Sequence, residues 1–244
     1  QAADEGQGQG VEAGVNAGPA ARWDLGRRRL YLCSPDRPDL ELFIERCIAG
    51  GVDIVQLRDK RLTDSEVVEC AARVQRVCAD RGIPFILNDR PDLAAAIGAD
   101  GVHIGQEDMA PDRARRLMGA DAVVGLSTHR VEDLDGAVHA PVDYISAGPV
   151  TPTPTKPGRA GTGLGYVSEA ASRASCPVWI TGGVDPTTVV GMAEAGARHF
   201  VVVRWLTEAT EPEARARMLR RAIDRAIDQA IEDAVGRVEP DAGP

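Results

Sequence analysis

The sequence predicts a single (β/α)8 barrel, and three observations carry the prediction. Short apolar runs recur about eight times along the chain. Amphipathic stretches with helix-start and helix-stop residues separate them. The length of 244 residues suits one complete barrel, which needs ~250, or two small domains, and the alternation by itself fits a closed barrel or a doubly wound sheet.

Taken in order, the runs are Leu30-Tyr31-Leu32, Ile54-Val55, Phe85-Ile86-Leu87, Val102-His103-Ile104, Val123-Val124, Tyr144-Ile145, Val178-Trp179-Ile180 and Phe200-Val201-Val202-Val203. Each is a few residues long and rich in β-branched or aromatic side chains, as strands of a parallel sheet covered on both faces are. Between them, Thr63-Asp64-Ser65-Glu66 is a capping-box start, Pro91 opens 92–97, and Asp185-Pro186 opens a helix over Thr187 to Ala195. Gly50-Gly51, Gly98, Gly119 and Gly196 stand where left-handed helix stops are wanted. From Glu211 to about Val235, Leu219, Ala222, Ile223, Ala226, Ile227 and Ile231 share one stripe, which predicts a last outer helix. The expected organisation is a flexible, glycine-rich extension over 1–27, a catalytic barrel over 28–235 and a disordered tail over 236–244.

Charge and cysteine usage narrow the function classes. A net charge of -9 disfavours a nucleic-acid partner, whose binding needs a surplus of Lys and Arg on one face. The 5 cysteines show neither CxxC nor zinc spacing, which fits a reducing, cytoplasmic setting. No apolar run has membrane-spanning length, so no membrane partner is expected. The expected partners are small-molecule substrates, and self-association into a homo-oligomer is compatible with the sequence.

Polar residues follow the apolar runs directly: Gln56-Leu57-Arg58-Asp59-Lys60, Asn88-Asp89, Gln106-Glu107-Asp108 and Ser127-Thr128. In a parallel barrel all strand C-termini point to one face, so these groups converge there. Arg58 offers a bidentate fork for phosphate and Lys60 a compact charge. Asp89 and Asp108 each stand shortly before a proline, where a helix cap is the plain reading. Together, beside Arg58 and Lys60, they read instead as ligands for Mg²⁺, which completes its shell with water and substrate phosphate. The long connection from Gly148 to Gly165 carries Thr153, Thr155 and Lys156 as phosphate donors, and Gly182-Gly183 exposes backbone N-H groups before a helix. No Walker or GxGxxG fingerprint occurs. No histidine pairs at a metal spacing; His103 reads as a structural or supporting residue and Ser127 as a hydrogen-bonding group.

In order and spacing, Gln56-Leu57-Arg58-Asp59-Lys60, Asn88-Asp89, Gly101 to Asp108, Gly125-Leu126-Ser127, Pro152 to Lys156 and Gly182-Gly183 resemble the motifs of the thiamine-phosphate synthases, over roughly Leu30 to Asp224. The resemblance implies a Mg²⁺-assisted transferase that joins hydroxymethylpyrimidine diphosphate to thiazole phosphate, releasing pyrophosphate. It implies Arg58, Lys60 and Lys156 as catalytic cations, and Gln56, Leu57, Arg58, Asp59, Lys60, Asn88, Ser127 and Lys156 as pyrimidine-diphosphate contacts. Asp89 and Asp108 correspond to the metal ligands, and Thr153, Pro154, Thr155, Gly183, Val203 and Arg204 to the thiazole-phosphate side. Two departures from the family pattern stand out: Arg204-Trp205 replaces Ser and a small residue, and Asp59 replaces Glu. Arg204 either adds a cation at the thiazole phosphate or points away while the backbone binds. A thiazole tautomerase and a noncatalytic phosphate-binding barrel are the rival readings.

Overall fold

The computed structural model describes residues 23–154, 158 and 160–236. Eight parallel strands close into a barrel in sequence order: β1 (Leu30–Ser34), β2 (Ile54–Leu57), β3 (Phe85–Asn88), β4 (Gly101–Ile104), β5 (Val123–Thr128), β6 (Tyr144–Ala147), β7 (Val178–Ile180) and β8 (His199–Val202), with β8 pairing back to β1. Each expected run lies in its own strand, although Val203 falls just beyond β8.

The helices among the described residues are α1 (Leu40–Ala49), α2 (Asp64–Asp80), α3 (Pro91–Ala96), α4 (Pro111–Met118), α5 (Val131–Val138), α6 (Gly163–Arg173), α7 (Val189–Glu194), α8 (Arg204–Thr207) and α9 (Pro212–Gly236). The capping box at α2 forms as expected: the Glu66 N-H donates to the Thr63 hydroxyl, and the Thr63 N-H donates to the Glu66 carboxylate. Gly51, Gly98, Gly119 and Gly196 have positive φ, whereas Gly50 stays right-handed. The helix after Asp185 begins later than expected, at Val189. The Asp185 carboxylate accepts from the N-H groups of Thr187 and Thr188, holding a side-chain-bonded turn where the sequence predicts the first helical turn.

Strand alternation sorts the side chains into two apolar layers. Leu30, Leu32, Val55, Leu57, Phe85, Leu87, Val102, Ile104, Val124 and Leu126 belong to the larger cluster, shared with the helices. Tyr31, Ile54, Ile86, Val123, Tyr144 and Trp179 fill the barrel interior. Gly125 makes room for this filling, since a Cβ there would lie 2.0 Å from Tyr144 Cζ. Leu25 caps the inner cluster and is buried in a short 3-10 turn, Leu25–Arg27, with Trp23 packed beside it. Residues 23–27, expected in the extension, therefore close the N-terminal end of the barrel. The remainder of that extension and the tail after Gly236 lie outside the described residues.

Candidate active site

At the C-terminal ends of the strands lies a cavity of about 1200 Å³. Its floor is polar because inward-facing strand positions carry Gln56, His103, Ser127 and Ser146, all buried. Gln56 donates from Nε2 to the Tyr31 hydroxyl at 2.7 Å, and Ser127 lies 2.9 Å from His103 Nε2. Leu57, one position on from Gln56, faces the opposite way. It packs in the outer apolar layer and does not line the cavity, because a strand reverses side-chain direction at every residue.

The loop after β2 places Arg58, Asp59 and Lys60 on the cavity wall. Asp59 points into its own loop, with a side chain only 2% exposed, and accepts from both the backbone N-H and the guanidinium of Arg61. That pairing with Arg61 holds the Asp59 carboxyl below its usual range. Asp59 thus shapes the loop that presents its two cationic neighbours. Lys60 Nζ stands 3.0 Å from Asp89 Oδ2.

Asp89 follows β3 in a left-handed conformation, φ 64°, unusual for a residue with a side chain. Its N-H donates to His103 O at 2.8 Å. Asp108 receives the Gly105 N-H at 2.7 Å. Neither caps a helix: Arg90 and Ala110 hold the N-cap positions, without side-chain cap bonds. The two carboxyls instead meet side chain to side chain. Burial works against the charge on Asp89, but Lys60, the hydrogen bond with Asp108 and the nearby Arg58 hold its carboxyl below the usual range. Burial and then contact with Asp89 push Asp108 up, against the stabilising Gly105 N-H. Such a facing pair favours a shared cation between the carboxylates.

On the opposite wall, Thr153, Pro154, Gly183, Val203 and Arg204 line the cavity. Gly183 adopts φ 75°, and a Cβ there would lie 2.2 Å from Thr151 Oγ1, so any larger residue would displace this wall. Arg204 Nε sits 2.8 Å from Oε1 of Glu208, the residue that follows the short helix α8. Trp205 lines the cavity next to it, its ring 4.2 Å beneath the Arg215 guanidinium and its buried indole N-H without an acceptor among the described residues. Asn88 also faces the cavity. Thr155 and Lys156 lie outside the described residues.

Sequence reasoning passed over Tyr31, Cys33, Tyr144 and Ser146 as cavity-lining groups. Their signal was available: each stands an even number of positions from an inward-facing neighbour on its own strand.

A sequence model of the family described as thiamine monophosphate synthase matches residues 30–206. The chain belongs to this family. Relatives in it include a thiamine-phosphate synthase of Thermus thermophilus, 46% identical over 201 residues, with 80% of this chain and 97% of the relative covered. Another, from Nostoc punctiforme, is 44% identical over 188 residues, 77% of this chain, and this chain spans about half of its length, 54%. Among solved structures, a thiamine phosphate pyrophosphorylase from Pyrococcus furiosus superposes with TM-score 0.76 at 24% identity, covering 85% of this chain and 99% of that one. At that identity the likeness establishes the fold, which in this thiamine monophosphate synthase family member is the barrel described above. No described helix is long and apolar enough to cross a membrane.

Proposed function

We propose that this protein joins hydroxymethylpyrimidine diphosphate to thiazole phosphate, giving thiamine monophosphate and pyrophosphate, and that it does so with Mg²⁺ in the cytoplasm. The observation that carries the reading is the meeting of Asp89 and Asp108 beside Lys60 and Arg58 on one cavity wall.

The donor set suits magnesium. Two carboxylates converge, and no group of three or more His, Cys, Asp or Glu able to hold a metal occurs among the described residues. Mg²⁺ keeps waters and takes phosphate oxygens, so an open two-carboxylate site matches it better than a closed cage would. Asp89 and Asp108 would hold the ion, which supplies positive charge against the departing pyrophosphate.

The chain's own residues have modest chemical demands to meet. The bond from the pyrimidine's methylene carbon to the diphosphate oxygen breaks, with its electron pair leaving on pyrophosphate. The thiazole nitrogen then forms the new bond to that carbon with its own lone pair, and no protein base is required. Arg58, Lys60 and Lys156 neutralise the charge that grows on the leaving group. Gln56, Asn88 and Ser127 orient the pyrimidine. Thr153, Thr155, Gly183 and the backbone at Val203-Arg204 hold the acceptor phosphate, so that the two rings meet at reacting distance.

The test is to mix the purified protein with both substrates and Mg²⁺ and to measure thiamine monophosphate and pyrophosphate, with an EDTA control. Metal-dependent formation of both is expected, and Lys156→Ala should lower turnover by about 10²-fold. Isomerisation of a thiazole phosphate without pyrimidine diphosphate would favour the tautomerase. Binding without turnover would favour the noncatalytic barrel.

A further inference from the structure

The polar floor of the barrel is a single connected chain of side chains. Cys33 Sγ donates to Gln56 Oε1 at 3.3 Å, Gln56 Nε2 donates to the Tyr31 hydroxyl at 2.7 Å, and the Tyr31 and Tyr144 hydroxyls lie 2.9 Å apart. Tyr144 Oη is then 3.0 Å from His103 Nδ1, His103 Nε2 is 2.9 Å from Ser127 Oγ, and Ser146 Oγ donates to Ser127 Oγ at 3.4 Å. Every member is at most 8% exposed, and every one lines the cavity.

The chain has a direction. A carboxamide nitrogen only donates, so the Tyr31 oxygen accepts from Gln56 and passes its own hydrogen to Tyr144. Tyr144, having accepted, has its own hydrogen to give, and His103 Nδ1 is the acceptor within reach at 3.0 Å. A neutral imidazole that accepts at Nδ1 carries its proton on Nε2, which lies 2.9 Å from Ser127 Oγ and, more distantly, 3.5 Å from Ser146 Oγ, so Ser127 is the nearer acceptor. The Ser127 oxygen therefore accepts from His103 and from Ser146, which leaves its own hydrogen for the cavity. Burial raises the pKa of both Tyr31 and Tyr144, so the two phenols keep the hydrogens on which this sequence depends.

The geometry points to Tyr31 and Tyr144 as positioning residues that fix the Nε2-H tautomer of His103 and thereby make Ser127 a hydrogen-bond donor into the cavity. The floor then favours a heteroaromatic ring that turns a bare nitrogen, rather than C-H or N-H, toward Ser127. This choice of ring rests on the pyrimidine-diphosphate reading above; the tautomer does not.

The two parts are tested separately. In ¹⁵N-labelled full-length protein, with His103→Gln used for assignment, the His103 spectrum should show Nδ1 bare and Nε2 protonated. Tyr144→Phe, which keeps the ring seated against Gly125, should introduce the other tautomer. A protonated Nδ1 in the unmodified protein, or a tautomer indifferent to Tyr144→Phe, overturns the relay. In steady-state kinetics, Tyr144→Phe and Ser127→Ala should each raise KM for the pyrimidine diphosphate about tenfold, with kcat changed by no more than about threefold. Because both act on one hydrogen bond, the double variant should be no worse than Ser127→Ala alone. Multiplied losses in the double variant overturn the relay in favour of a purely structural role for Tyr144. Should the unmodified protein form no thiamine monophosphate, the proposed function fails, while the spectra still decide the relay without any turnover.

Discussion

The two ends of this barrel use the same residue, aspartate, in opposite ways. At the N-terminal end, Asp53 stands just before β2 and accepts from the N-H groups of Arg29 and Leu30 at the start of β1, and from Arg220. Asp143, just before β6, accepts from the Val124 N-H in β5 and from Arg115. Asp100, just before β4, accepts from the Phe85 N-H that opens β3. One carboxylate thus stitches the start of its own strand to the start of the preceding one, three times around the barrel. At the C-terminal end, Asp89 and Asp108 face each other, joined by Lys60, whose side chain is 63% exposed. Carboxylates supplied with backbone and guanidinium donors stabilise the fold. The facing pair is supplied instead by the Gly105 N-H on Asp108 and the exposed Lys60 ammonium on Asp89, which on the reading proposed above leaves room for a cation.

The contrast would break most visibly at Asp53. Its carboxyl is buried enough for burial to raise its pKa, in spite of the donors from Arg29, Arg220 and Leu30. Asp53→Ala would leave the Arg29 and Leu30 N-H groups without this acceptor, while Arg220 keeps Asp224 and the Gly51 carbonyl, at a cost of about 3 kcal/mol. Urea unfolding should report that loss, while turnover per folded molecule stays near that of the unmodified protein. A large fall in kcat with stability intact would show that the N-terminal end is not merely structural.

Asp89→Asn should give the reverse pattern. Asparagine tolerates the φ of 64° at this position. It also removes the like charge that contributes to raising Asp108, so unfolding should be unaffected or slightly harder. Pyrophosphate release, by contrast, should slow by about 10²-fold, roughly 2.7 kcal/mol of lost transition-state stabilisation. Near-normal turnover in a folded Asp89→Asn sample would remove the carboxylate pair from the mechanism.

The same contrast explains what could be read from the sequence. Strands were legible because outward positions such as Leu30, Leu32, Phe85 and Leu87 must be apolar to meet the helices. β5 is longer than its apolar run Val123-Val124, because its later inward positions, Gly125 and Ser127, serve the interior and look like a turn. The site's charged members were legible because they follow strands. Its floor was not, since Tyr31 and Tyr144 read as core until the barrel closes and sets them 2.9 Å apart, hydroxyl to hydroxyl. Leu57 misleads for a related reason: adjacency to Gln56 in sequence means opposition in space. At Asp89 and Asp108, the neighbouring prolines gave a true signal for helix starts at Pro91 and Pro111, but the caps fall one residue nearer those prolines than Asp89 and two nearer than Asp108.

The smallest expected effect concerns the departure at Arg204. Its guanidinium is tied to Glu208 across one helical turn at the cavity rim, and both side chains are at least half exposed. A pair this open to water contributes little to folding, so Glu208→Gln should leave the melting temperature unchanged. It would, however, free a cation beside the wall assigned to the thiazole phosphate. If Arg204 serves that phosphate, KM for the thiazole substrate should fall, by no more than about threefold given solvent screening, and added salt should erase the gain. An unchanged KM would assign phosphate binding to the backbone at Val203-Arg204 and leave the side chain facing solvent. The distinction matters because Arg204-Trp205 departs from the Ser and small residue that the resemblance implies: a rim cation paired with Glu208 four residues on is a different device from a small hydroxyl side chain.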